Sequence, residues 1–247
     1  MENTPLIAIP SIELKPAVSL FDSLPRSTRA IHPVHMEALG QALGFILYRH
    51  KVRSAVGGIL KTGDTPRDRV LVYVNGKRTG VIDSIYPHPT LNLKPGDVLD
   101  TLIENLGRVN YGSEIPNQRK GIVGDVTVGS TVLLDWEHFP LTLEKPPSAH
   151  ALLLILRTQP LQGQSSTKAH SMLRVPVIPS SNFLENGVIL GRYWTVGPQQ
   201  QLYLPGVYLK KRNNEITVLA LEPNANQSPA KGIQVRSWSN NPDPDAP

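Results

Sequence analysis

Apolar residues along this chain fall in short bursts separated by glycine, proline and asparagine, and the bursts read as β-strands. Phe45-Ile46-Leu47-Tyr48-Arg49 and Val70-Leu71-Val72-Tyr73-Val74 combine aromatic and branched side chains, the types that suit a pleated, half-buried surface. The second run stops at Asn75-Gly76. That pair predicts a two-residue type I′ hairpin, because both central positions of the turn need positive φ, and Val81-Ile82 continues its return strand. Thr90-Leu91-Asn92-Leu93 alternates with period two, Pro95-Gly96 marks a turn, and residues 98–103 make a further strand. Gly121-Ile122-Val123, Val126-Thr127-Val128 and Val132-Leu133-Leu134 follow, divided by Gly124 and Gly129. Short strands at this spacing predict an antiparallel β-sandwich over 38–145.

The flanks read differently. Residues 1–37 form an extended lead whose prolines (Pro5, Pro10, Pro16, Pro25, Pro33) forbid a long helix. Residues 146–170 open on a Pro-Pro step and turn polar at Gln159, which predicts a linker with room for a short helix near 149–156. Residues 224–247, rich in Asn, Ser, Pro and Asp, predict a disordered tail. The chain holds 23 prolines in 247 residues, nearly twice the usual ~5%, as many short strands joined by turns would require.

Two segments repeat a theme. Glu104-Asn105-Leu106-Gly107-Arg108-Val109-Asn110-Tyr111-Gly112 and Asn186-Gly187-Val188-Ile189-Leu190-Gly191-Arg192-Tyr193-Trp194 each place an aromatic soon after Leu-Gly-Arg, which suggests two similar β-modules in tandem. The first continues into Gln118-Arg119-Lys120-Gly121-Ile122. The second continues through Gly197-Pro198-Gln199 and Leu202-Tyr203-Leu204-Pro205-Gly206 to Asn214-Glu215-Ile216-Thr217-Val218. This wording, with Met36 to Arg49 as an entry segment, resembles the C-terminal β-domains of the family-35 glycoside hydrolases, the β-galactosidases, over Ile12 to Pro223. The resemblance implies tandem galactose-binding-like jelly-roll sandwiches, an all-β chain. It places the second module at 171–223 and implies that it lacks about one strand-turn-strand unit before Asn186-Gly187. A sandwich short of an inner strand exposes an unpaired edge, so this module is expected to be incomplete and marginally stable.

In that family the chemistry belongs to an N-terminal TIM barrel, which needs about 250 residues. A chain of 247 residues already filled by β-domains leaves no room for one. The family's catalytic glutamates lie in motifs resembling Glu-Asn-Glu-Tyr-Gly and Thr-Glu-Phe-Trp, and neither occurs here. A retaining glycosidase needs two carboxyl groups about 5 Å apart, whereas Glu104, Glu114, Glu137 and Glu215 have no evident partner. The expectation is a chain without hydrolase activity of its own.

Other chemistries are excluded by what is missing. Without cysteine there is no disulfide, thiolate nucleophile or Cys-ligated zinc. The seven histidines show no metal-ligand spacing, and neither a phosphate loop nor a Gly-x-Ser-x-Gly elbow occurs. No cofactor is implied. Lys and Arg total 25 against 20 Asp and Glu, a formal charge of +5, with aromatics at 6%. Arg67, Arg69, Lys77, Arg78 and Lys210-Lys211-Arg212 therefore read as solvated surface, with no nucleic-acid stripe. The longest apolar run, 151–156, is far short of the ~20 residues that span a membrane. Residues 1–15 lack the pattern of a signal peptide, although the resemblance implies lysosomal or secreted relatives.

The candidate binding residues are Arg108, Tyr111, Arg192, Tyr193 and Trp194. An arginine beside aromatics can make a sugar-binding shelf, with the ring under the apolar face of a hexose and the guanidinium donating in fork geometry. The same grouping can be a structural corner in which Arg108 pairs with a carboxylate and Asn105 ties down loop backbone, and both readings stay open at this level. The partners implied are galactosides and a TIM-barrel catalytic domain or polypeptide. Three functions are carried forward: a structural or carbohydrate-binding portion of a β-galactosidase, a subunit of a working enzyme, and a stand-alone galactoside-binding protein.

Overall fold

In a computed structural model of the chain, residues 11, 15–16, 19–22, 24–64, 67–83, 88–142, 156–157, 170–174, 180–185, 188–194, 197–199, 201–210, 214, 216–221, 231–233 and 238–241 are described. Among them there is no α-helix, only short 3-10 turns and antiparallel strands. Strands are numbered along the chain from β1 (Lys15–Pro16). The chain divides into two units, one formed by residues 24–144 and the other by residues 1–23 with 145–246.

The 24–144 unit contains β2 (Thr28–Ala30), β3 (Phe45–Lys51), β4 (Val56–Thr62), β5 (Arg69–Val74), β6 (Lys77–Ile82), β7 (Thr90–Leu93), β8 (Val98–Glu104), β9 (Val126–Val128), β10 (Thr131–Val132) and β11 (Trp136–Leu141). They form a six-stranded sheet ordered β2-β11-β3-β8-β5-β6 and a four-stranded sheet ordered β10-β9-β4-β7. Ile46, Tyr48, Val70, Val72, Leu99, Ile103 and Trp136 of the first sheet pack with Leu60, Leu91, Leu93, Val126 and Val128 of the second in one buried cluster. Along β3, β5, β7 and β9 the core residues alternate, Ile46 and Tyr48, Val70 and Val72, Leu91 and Leu93, Val126 and Val128, as the period of two requires. The expected hairpin is present: Val74 pairs with Lys77, and Asn75 and Gly76 have φ of 50° and 75°. The lead contributes too, since Thr28–Ala30 adds an edge strand on β11.

Four local readings need correction. Residues 121–123 are not a strand, and β10 stops at Val132. The first of these carries Gly121 at φ 85°, outside strand geometry. Strands β4 and β11 were not foreseen, because Gly57-Gly58 and Pro140 interrupt their alternation. Arg69 is not solvated surface. It is 2% exposed, with its Nε 3.9 Å from Asp83. Lys120 is likewise buried, against Asp68.

The other unit pairs β1 with β12 (Leu156–Arg157). It continues with β13 (His170–Arg174), β14 (Ser180–Glu185), β15 (Val188–Trp194), β16 (Gly197–Gln199), β17 (Leu202–Pro205), β18 (Ile216–Ala220), β19 (Lys231–Ile233) and β20 (Trp238–Asn241). Its ladders are β17-β13-β19, β15-β14-β18 and β16-β20. Tyr193, Leu202, Leu204, Ile216 and Val218 are buried in it. Residues 224–247 are thus more than a disordered tail, because β19 pairs along β13 and β20 pairs with β16. The physical reason is that β13 has an edge left over after pairing with β17, and an open edge recruits any strand able to satisfy its N–H and C=O groups. The expected helix near 149–156 lies outside the described residues, apart from Leu156, which is in β12.

Candidate functional site

The first Leu-Gly-Arg segment forms a clamped corner. Leaving β8, Asn105 donates from its side chain to the Ala42 carbonyl at 3.0 Å, and its Oδ1 accepts from Gly107 N–H at 3.0 Å. It is half-buried, and it ties down backbone as the structural reading expects. The Arg108 guanidinium donates to Glu37 Oε1 at 2.6 Å, to the Ala42 carbonyl at 3.0 Å and to the Gln118 carbonyl at 3.3 Å. Glu37 also accepts from the Lys120 backbone N–H at 3.1 Å. Burial pushes the Glu37 carboxyl up, but the hydrogen bonds from Lys120 N–H and Arg108 outweigh it and hold the group below the usual carboxylate range. Asp68 completes the clamp. Its oxygens take the Lys120 ammonium at 2.5 and 2.6 Å, and one accepts from Leu106 N–H at 2.7 Å.

This clamp holds the inner side of the 105–120 segment and leaves its outer side apolar. Leu106, Val109 and Ile115 are exposed, and Tyr111 is 91% exposed. Among the described residues no ring contact joins Arg108 to Tyr111. The guanidinium that sequence reading paired with the aromatic is turned inward onto Glu37. Glu37, Asp68 and Lys120 escaped notice because they are distant in sequence; the Glu37 to Lys120 hydrogen bonds span 83 positions.

The second Leu-Gly-Arg segment is strand β15, at the edge of its three-stranded ladder. Alternation splits its side chains. Tyr193 turns inward, 2% exposed, while Arg192 and Trp194 share the other face, half-buried. The Arg192 guanidinium lies over the Trp194 ring, 3.8 Å from its centroid, a cation–π contact. One face of the indole ring is thus covered by the guanidinium.

A third feature has no counterpart in sequence reading. On the six-stranded sheet, Arg29, Glu137, Arg49 and Asp100 stand directly opposite one another on β2, β11, β3 and β8. Arg29 donates through Nε and Nη2 to Glu137 Oε1 at 3.0 and 2.5 Å. Arg49 grips Asp100 in a fork at 2.8 and 2.9 Å. Burial pushes the Asp100 carboxyl up against the pull of Arg49, while the hydrogen bond to Asp100 raises Arg49 further. The fork keeps this pair ionised. Beside the row lies a cleft of about 470 Å3, lined by Arg29, Ile31, Arg49, Lys51, Arg53, Asp135 and Glu137 among others.

Glu37 and Glu137 are each committed to an arginine, and Glu104 is buried. Among the described residues no cluster of three His, Asp or Glu could hold a metal ion, and no helix is long and apolar enough to cross a membrane.

Comparison with known proteins agrees with this division. Residues 33–142 match the family described as β-galactosidase, first all-β domain, and residues 181–214 match β-galactosidase, galactose-binding domain. A β-galactosidase of Xanthomonas manihotis is 33% identical over 210 residues, covering 79% of this chain and 34% of that protein. The mouse β-galactosidase is 30% identical over 226 residues, covering 78% and 35%. Human β-galactosidase-1-like protein 2 is 32% identical over 225 residues, covering 81% and 34%. The chain spans about a third of the length of the curated relatives it matches. The part of the β-galactosidases that the chain matches is their C-terminal all-β region, the first all-β domain followed by galactose-binding-domain sequence.

Proposed function

We propose that this chain is a non-catalytic β-region of a β-galactosidase-type glycoside hydrolase, and that its first sandwich docks a TIM-barrel catalytic domain through the 105–118 segment. One observation carries the reading. A loop held rigidly from inside by Glu37, Asp68 and Asn105 turns Leu106, Val109, Tyr111 and Ile115 outward. Single exposed apolar residues are ordinary, but a preorganised group of them suits an interface. The absence of both catalytic glutamate motifs from the sequence supports the non-catalytic part.

The test is co-expression of the full chain with a tagged barrel-bearing polypeptide of a relative. Wild-type chain is captured with it, and the double variant Leu106→Asp, Tyr111→Asp is not, although its amide spectrum stays dispersed. Failure of the wild type to associate overturns the docking reading. Release of galactose from a nitrophenyl galactoside by the chain alone overturns the non-catalytic one.

The Arg192 to Trp194 stack favours a second reading, in which the chain binds galactosides at β15. Lactose would then shift the backbone amide resonances of β15, and Arg192→Ala or Trp194→Ala would abolish those shifts. Arg108 and Tyr193 are placed less favourably, the first consumed by three acceptors and the second buried. No response of the wild type to lactose sinks this reading.

A further inference from the structure

We propose that the cleft on the six-stranded sheet is a binding site for a small hydroxylated acid, of which an acidic monosaccharide is the type. Its volume, about 470 Å3, lies within the ~300–1,000 Å3 of small-molecule sites. Its lining is chemically two-sided. Arg29, Arg49 and Arg53 are each pinned along one edge by a carboxylate, namely Glu137, Asp100 and Asp135. Pinning uses Nε and Nη2 of Arg29 and of Arg49, and Nη2 of Arg53. The Nη1 of each takes no part in these pairs. Lys51 is exposed and has no ion-pair partner among the described residues.

These donors are spread out. Arg29 and Arg49 sit two strands apart, roughly 10 Å at the backbone, and Lys51 follows Arg49 on the same face of β3. Arg49, held in its fork by the buried Asp100, loses little further freedom on gripping an anion, while Arg29 and Arg53 reach it from exposed positions, and the guanidinium fork matches a carboxylate. Acceptors stand beside them. Glu137 takes both Arg29 bonds on Oε1, leaving Oε2, and Asp135 meets Arg53 through Oδ2, leaving Oδ1. A simple inorganic anion would leave those oxygens unused and be repelled by them. A neutral sugar would leave Lys51 without a counter-charge. A molecule with one carboxylate and several hydroxyls satisfies both sets, its carboxylate at Lys51 and the arginines and its hydroxyls donating to Glu137 and Asp135. Trp136 is fully buried at this point and offers no stacking face, so recognition here is polar.

The test is titration of the full chain, followed by amide chemical shifts, with galacturonate, galactose and sodium sulfate at matched ionic strength. Galacturonate is expected to move the resonances of residues 29–31, 51–53 and 135–137, with much smaller shifts from the other two. Lys51→Gln and Arg53→Gln, both at exposed positions, should each weaken galacturonate binding by about threefold to tenfold while the spectrum stays dispersed. The proposal is overturned if galacturonate leaves these resonances unmoved. It is equally overturned if sulfate or galactose moves them as strongly, or if both variants bind galacturonate like the wild type. Neither docking of a barrel nor lactose binding at β15 enters this outcome.

Discussion

Replacing Tyr48 by phenylalanine removes one oxygen from a place where two backbone groups depend on it. The Tyr48 hydroxyl donates to the Val34 carbonyl at 2.9 Å and accepts from Ile122 N–H at 3.1 Å, on a side chain that is 0% exposed. Burial pushes the hydroxyl far up from its ordinary pKa, so it stays protonated and able to donate. One oxygen therefore joins the central strand β3, the incoming lead and the segment returning from the clamped loop. Each lost bond costs about 1 kcal/mol net, and a buried donor or acceptor left unsatisfied costs about 1–3 kcal/mol. With Ile122 N–H and the Val34 carbonyl both orphaned, the 24–144 unit should lose about 2–4 kcal/mol. For a unit of this size that lowers its melting temperature by roughly 10 °C. Amide exchange read residue by residue is the suitable assay, because it reports the opening free energy of Ile122 itself and of the β3 to β8 ladder. Both should fall together. Tyr111→Phe, at a fully solvated position, should leave them unchanged. A loss below about 0.5 kcal/mol in Tyr48→Phe would refute the reasoning, since it would mean that the two groups find other partners.

Two further outcomes follow from the same geometry. His138 is fully buried; its Nδ1–H donates to the Thr28 carbonyl at 2.9 Å and its Nε2 accepts from Val34 N–H at 3.0 Å. Burial lowers the pKa of His138, and of His50. The unfolded chain therefore binds more protons, and the stability contributed by these neutral rings is complete above the unfolded value of about 6.5 and declines as pH falls below it. Urea titrations at pH 7.5 and 5.5 should show a lower midpoint at the acid pH, and equal midpoints would contradict the assignment. Among the glycines, Gly44→Ala should be clearly more damaging than Gly76→Ala. Both sites have positive φ, but a Cβ at Gly44 overlaps the Leu141 and Thr142 carbonyl oxygens whereas at Gly76 it meets nothing within 4 Å. Thermal melts should place Gly76→Ala about 1 kcal/mol below wild type and Gly44→Ala well beneath it.

Local signals in the sequence were dependable where a single stretch contains all the physics. Asn75-Gly76 specifies its turn because two adjacent residues tolerate positive φ. Thr90–Leu93 specifies its strand because its alternation is uninterrupted. The Leu-Gly-Arg segments marked both modules because their wording is local. Where alternation is broken, as at Gly57-Gly58 in β4 and Pro140 in β11, the strand is decided by the ladders it completes on β7, β9 and β3. The strands Lys231–Ile233 and Trp238–Asn241 show the same thing in a stretch whose composition reads as tail.

By itself, then, the sequence determined the all-β class, the tandem arrangement, the likeness to β-galactosidase β-domains and the absence of the catalytic glutamate motifs. Only the tertiary structure decided what the charged residues do. Arg69 reads as surface until a sandwich closes over it. Arg108 reads as half of a sugar shelf until Glu37, 71 positions away, draws it inward. Arg29, Glu137, Arg49 and Asp100 form one row only after four strands have found their register. A strand's pattern is written in neighbouring residues, whereas an ion pair is made between residues that the fold alone brings together.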